Sequence, residues 1–134
     1  LELTIQEVGD LFGHQRKLQR LLEPALALGL GYLKIGQPTS SLSGGEAQRL
    51  KLAPLLAERT LADALVVIDE PTRGLHFVDV EKLLGALRTL TSSGATVVVV
   101  EHSEQVMAAA HWTIELGPGA AEDGGTLLFE GIKN

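Results

Sequence analysis

The 134-residue chain contains no cysteine, which excludes disulfides and thiolate metal sites within it. Aromatic residues make up only 4% of it, so its core must be built from Leu, Val, Ile and Ala. It has no apolar run near the roughly 18 residues that a membrane span requires, and no basic, signal-like N-terminus. These absences set the expectation of a soluble, cytoplasmic protein with no membrane partner. Basic residues are also few. The formal net charge is -6, with 11 Lys and Arg against 17 Asp and Glu. A nucleic-acid grip needs a basic face, so this segment is not expected to be one by itself. Arg16, Lys17 and Arg20 could touch DNA, but a solvated helix face is the preferred reading of them. No G-x-x-x-x-G-K-[ST] phosphate loop occurs. Leu1 is not an initiator Met, and the chain is expected to be processed or to be a piece of something longer.

With 45% hydrophobic and 21% charged residues, the chain has the makings of a packed core. Thr4 with Glu7 forms a capping-box pattern that opens a short helix to about Phe12. Gln15 to Leu28 has helical spacing, with Leu18, Leu21, Leu22 and Leu26 on one face and an interruption expected at Pro24. Gly29, Gly31, Gly36 and Pro38 punctuate a loop. Ser43 opens the next helix. Pro54 lies inside it and should cost about 3 kcal/mol or kink it.

The periodicity then changes. Leu65-Val66-Val67-Ile68 and Val97-Val98-Val99-Val100 are short apolar runs, as in parallel strands covered on both faces. Between them, from about Asp79, an amphipathic helix carries Val80, Leu83, Leu84, Leu87 and Leu90 on its buried stripe and stops at Gly94. A helix is expected over Ser103 to Ala110, and strands over Trp112 to Leu116 and Thr126 to Phe129. Gly124-Gly125 suits a turn before the last strand; as a phosphate loop it lacks Lys. The expected class is therefore α/β: a helical part, residues 1–60, then a mostly parallel sheet flanked by helices, residues 61–134.

Three segments carry candidate chemistry. Ser43-Gly44-Gly45-Glu46 is either a capped helix start or a phosphate site. Two glycines in a first helical turn cost about 1 kcal/mol each against Ala, which makes sense where something approaches the bare N–H groups of a helix N-terminus. Asp69 and Glu70 end an apolar strand, either as solvated acids or as a Walker B pair. In the second case Asp69 holds Mg²⁺ and Glu70 polarises the attacking water. His102 follows the second apolar strand, either as a structural group or as one that reaches a γ-phosphate. A parallel crossover would bring both strand ends to one crevice.

The order of these segments resembles ABC ATPases, and the particular residues resemble the UvrA family of excinuclease ATPases. The resemblance is carried by Gly31-Tyr32-Leu33-Lys34-Ile35-Gly36-Gln37-Pro38, Leu42-Ser43-Gly44-Gly45-Glu46-Ala47-Gln48-Arg49, Asp69-Glu70-Pro71-Thr72-Arg73-Gly74-Leu75-His76, Glu101-His102 and Trp112 to Gly119. Glu46 and His76 distinguish it from transporter ATPases. It implies that Ser43, Gly44, Gly45 and Glu46 form the signature that caps the γ-phosphate of an opposite ATP site. It further implies that Gly74, Leu75 and His76 form the loop crossing between sites, with Asp69 and Glu70 the Walker B pair and His102 the switch histidine. The implied cofactors are ATP and Mg²⁺. The implied partners are an upstream remainder carrying Walker A, a second copy as homodimer, the excinuclease component UvrB, and damaged DNA through the whole protein. The family's Cys₄ zinc module also lies upstream. A transport or antibiotic-resistance paralogue and a non-hydrolysing, partner-binding chain are the alternatives.

Overall fold

The computed structural model describes residues 2–58, 60–117 and 125–132. They pack as two compact units, residues 1–101 and residues 102–134. The first begins with α1 (Ile5–Leu11), whose capping box joins Thr4 and Glu7 as the sequence leads one to expect. α1 is tied to the loop that follows α2 (Arg16–Ala27). Ile5 N–H donates to Leu33 O and Gln6 N–H to Gly31 O, each at 2.9 Å.

α2 runs unbroken through Pro24, contrary to the expected interruption. Gln15 is its N-cap, and the bond lost at Pro24 is offset by burial of the ring beside Ala25. Its inward face is also rotated from the one expected. Leu21 is exposed, whereas Pro24, Ala25 and Leu28 are buried. A single 3₁₀ turn, Thr39–Ser41, leads to α3 (Gly44–Leu56). α3 likewise runs unbroken through Pro54 in its last turn, at the loss of the backbone bond to the Leu50 carbonyl that a proline cannot make.

β1 (Leu65–Asp69), α4 (Phe77–Ser92) and β2 (Thr96–Val100) form a parallel crossover. The strands pair in register from Leu65 with Thr96 to Asp69 with Val100. α4 starts at Phe77, two residues before Asp79, because His76 caps it: Val78 N–H donates to His76 Nδ1 at 3.5 Å. Its buried stripe is the expected one with Ala86 added. Gly94 stops it with φ +100, a conformation that suits glycine. The core joins Leu28, Leu30, Leu33 and Leu52 to Val66, Ile68, Leu83, Leu87 and Leu90.

The sheet departs from the expectation of two covered faces. Val66 and Ile68 turn into the core, but Leu65 and Val67 on the other face are 65% and 64% exposed. Val98 and Val100 beside them are exposed as well. The helices of this unit lie on one face only, and no described element of the unit covers the other.

In the second unit, α5 (Glu104–Ala109) follows its N-cap Ser103. β3 (Thr113–Leu116) and β4 (Leu127–Gly131) pair antiparallel, with an irregularity at Glu115–Leu116. Gly125 has φ +86, as a turn into β4 demands. Gly124, Pro118 and Gly119 lie outside the described residues. No described helix is long and apolar enough to cross a membrane.

Candidate functional site

A cleft of about 550 Å³ in the first unit is lined by Ser43, Gly44, Gly45, Gln48, Asp69, Glu70, Arg73 and Gly74. It therefore gathers most of the residues singled out from sequence. Glu46, Leu75 and His76 do not line it. Glu46 turns back onto its own helix, Leu75 packs against the core, and His76 serves as the N-cap of α4.

One wall is the N-terminus of α3. Ser43 Oγ accepts from Glu46 N–H at 3.3 Å, and Ser43 N–H donates to Glu46 Oε2 at 2.6 Å. The sequence left open whether this was a capped helix or an anion site. The cap is present, and the remaining N–H groups of the first turn have no acceptor within the helix. The two glycines have different reasons to be there. A Cβ on Gly44 would meet no atom within 4 Å. A Cβ on Gly45 would come within 2.6 Å of the carbonyl oxygen of Arg73. Gly45 therefore has a purely structural reason to be glycine, because the chain crosses directly against it.

Glu46 also accepts a hydrogen bond from Tyr32 Oη at 2.5 Å. That bond first, then the one from Ser43 N–H, holds its carboxyl below the usual carboxylate range. Burial, followed by the bond to Glu46, pushes the Tyr32 phenol up.

The opposite wall is the end of β1 and the turn after it. The core grips the strand through Val66 and Ile68, which presents Asp69 on the exposed face. Glu70 is a non-glycine residue at φ +42, a left-handed conformation that costs on the order of 1 kcal/mol. Its N–H continues the ladder to Val100 O at 2.8 Å. The next turn is tied to the end of β2, because the N–H and Oγ1 of Thr72 both donate to Glu101 Oε1, at 2.8 and 2.5 Å. Arg73 reaches Glu70 at 3.8 Å, with the arginine exposed and the glutamate about half-exposed, so this pair adds little.

Adjacent carboxylates at a strand end suit Mg²⁺, which takes one or two protein carboxylates and completes its shell with water and phosphate oxygens. Among the described residues no group of three or more His, Asp or Glu side chains could hold a metal by itself. His102 opens the second unit and is exposed. Arg16, Lys17 and Arg20 lie on the solvated side of α2.

Sequence reasoning passed over four residues that build this site: Gln48, Arg49, Thr72 and Glu101. Gln48 Nε2 donates to Asp69 O at 2.6 Å. Arg49 is 1% exposed and donates from Nη1 to Pro71 O at 3.3 Å and to Arg73 O at 3.4 Å. A charged residue three positions before Leu52, on the inward face of α3, was the available signal.

No family model matches the chain. Its sequence is 47% identical over 131 residues to UvrABC system protein A of Thermus thermophilus, a match covering 98% of this chain and 14% of that protein. Its fold superposes on the crystal structure of UvrA2 from Deinococcus radiodurans with a TM-score of 0.88 and 48% identity, over 98% of this chain and 16% of that one. An ATP-binding cassette of an ABC transporter shares the fold alone, with a TM-score of 0.53 at 17% identity over 98% of this chain and 56% of that one. The chain thus spans about a seventh of the length of its curated relative, and across nearly all of its own length it is a segment of the UvrA family with an ABC ATPase fold.

Proposed function

We propose that this chain supplies the signature, Walker B and switch-histidine portion of a UvrA-type ATPase that recognises damaged DNA in excision repair. The observation that carries this reading is the cleft, where the N-terminus of α3 and the acids ending β1 form facing walls. Residues 1–60 act as the signature part and residues 61–134 as the Walker B part of one nucleotide-binding domain. The Walker A part comes from elsewhere in a longer polypeptide. A second copy, the excinuclease component UvrB and damaged DNA are partners of that whole protein.

The roles follow from the chemistry of each wall. Bound Mg²⁺ would neutralise charge on the phosphates of ATP, and Asp69 is the carboxylate placed to hold it. Glu70 orients and polarises a water for in-line attack. His102, two residues beyond Val100, donates to charge developing on the transferred phosphoryl group. Ser43 Oγ and the N–H groups of Gly44 and Gly45 cap a phosphate of the opposite site, where the open space at Gly44 leaves room for it. Gly74, Leu75 and His76 continue from that wall toward the second site, and Glu46 stiffens the signature from behind.

Two assays test the proposal. The purified 134-residue chain should release no phosphate from ATP beyond a Glu70→Gln control. In the full-length protein, Ser43→Ala should slow hydrolysis and weaken the preference for damaged over undamaged duplex. Unchanged hydrolysis and unchanged preference would reject it.

A further inference from the structure

Glu70 sits between two carbonyls that are both held by α3. Asp69 O, before it, accepts from Gln48 Nε2 at 2.6 Å. Pro71 O, after it, accepts from Arg49 Nη1 at 3.3 Å, and the same nitrogen reaches Arg73 O at 3.4 Å. These two neighbouring side chains thus span the left-handed residue on which the proposed chemistry depends.

Arg49 is expensive for a merely structural contact. Its guanidinium is buried, its Nε has no hydrogen-bond partner, and it forms no ion pair among the described residues. Tyr32 and the Glu46 carboxylate lie near enough to feel its charge, but its hydrogen bonds to the turn go to carbonyl oxygens, and a buried charge held in this way often contributes no more to stability than an apolar side chain of the same size. What the side chain does provide is geometry: one rigidly held nitrogen, Nη1, ties the carbonyls of Pro71 and Arg73 together. A strained backbone conformation persists only where its surroundings over-determine it. Here the surroundings are Gln48, Arg49, the Val100 carbonyl that receives Glu70 N–H, and the bond from Arg73 N–H to Glu70 O at 3.0 Å.

We propose that Gln48 and Arg49 are positioning residues that hold the Asp69–Arg73 turn and so set the place of the Glu70 carboxylate. The inference rests on the reading of Glu70 as the residue that orients water. Neither side chain is assigned contact with nucleotide or metal. Their effect passes through the backbone on either side of Glu70.

The test is a double-mutant cycle in the full-length ATPase that contains this segment, read by single-turnover hydrolysis at saturating Mg-ATP and by nucleotide Kd. Gln48→Leu removes the donor and keeps the bulk. It should lower the hydrolysis rate by about tenfold or more, since misplacing a reacting group by an ångström can cost as much as about a hundredfold, while Kd stays within about twofold. Arg49→Lys keeps the charge but replaces the guanidinium nitrogen that bonds both carbonyls, and should show the same split. Glu70→Gln should lower the rate further, and adding Gln48→Leu to it should cost little more, because the carboxylate being positioned is already gone. If Gln48→Leu and Arg49→Lys both hydrolyse at the parental rate while Glu70→Gln does not, the clamp is wrong and the reading of Glu70 stands. If Gln48→Leu lowers the Glu70→Gln rate by its full single-mutant factor, the clamp is also wrong. If Glu70→Gln itself hydrolyses at the parental rate, the underlying reading fails first.

Discussion

The carbonyl oxygen of Arg73 occupies the space in which a side chain on Gly45 would begin, 2.6 Å from the position of its Cβ. The turn after β1 thus presses on the first turn of α3, and the cleft owes its shape to that contact as much as to the acids.

The two signature glycines should therefore respond differently to the same substitution. Gly45→Ala forces a backbone carbonyl to move, with a cost of about 1–3 kcal/mol typical of overpacking. Gly44→Ala meets open space and relieves a poor helix former, so it should be neutral or stabilising by up to about 1 kcal/mol. Urea unfolding of the chain measures both. Equal effects would show that the close approach at Gly45 is unimportant. A variant with Asp at position 45 combines this clash with a charge, so Gly44→Ala is the cleaner probe of a phosphate role.

Much of the architecture was legible because it is local. The capping boxes at Thr4 and Ser43, the stripe on α4 and the two apolar strands each announce themselves within a window of a few residues. What was not legible depends on distant partners. Pro24 looked like a breaker until its ring was seen buried. The role of Arg49 is not set within its own helix; Pro71 and Arg73 reach it from more than twenty positions away. The exposed face of β1 and β2 was misread for a related reason: Val and Leu signal a strand wherever they occur, but do not say how many faces are covered within the chain.

That asymmetry predicts which strand and helix residues carry stability. Leu83 is wholly buried between the sheet and the helices. Leu83→Ala should cost about 2–5 kcal/mol, the range for a buried leucine. Val67→Ala lies on the exposed face and should cost less than about 1 kcal/mol. Denaturant midpoints at constant slope test this pair, and comparable losses would mean that the outer face is covered in solution.

Glu46 makes the start of α3 sensitive to acid. Its carboxyl lies below the ordinary range because Tyr32 and the Ser43 N–H donate to the charged form. A depressed carboxylate contributes stability that is fully present above its unfolded value, roughly 4.3, and is lost as pH falls through the folded value. The thermal midpoint of the chain should therefore exceed that of Glu46→Gln at neutral pH, and the gap should close on acidification below about pH 4. A gap that persists unchanged at low pH would show that packing, and not the carboxylate, makes the difference.

The three candidate groups at the strand ends should fail in three ways, and this separation is the strongest check on the proposed chemistry. β1 and β2 pair in parallel through Asp69 and Val100, so the chain leaves both strands at one edge of the sheet, toward Glu70 and Glu101. In an open α/β sheet that edge is where ligands bind. Asp69 ends the strand, so a metal held there is fixed by the sheet itself. Asp69→Asn in the full-length protein should chiefly weaken Mg²⁺-dependent nucleotide binding. Glu70 is one residue on, where the backbone turns left-handed. Glu70→Gln keeps size and hydrogen bonding but loses the charge that polarises water, so ATP should bind with parental affinity and accumulate unhydrolysed. His102→Ala removes a donor toward developing charge, worth on the order of a hundredfold or more in rate where such a donor acts directly, with a smaller effect on affinity. Nucleotide affinity and single-turnover hydrolysis, measured with any second ATP site silenced, distinguish the three. If Asp69→Asn and Glu70→Gln gave the same profile, with affinity and rate falling together, the division between a metal-holding and a water-orienting acid would have to be abandoned.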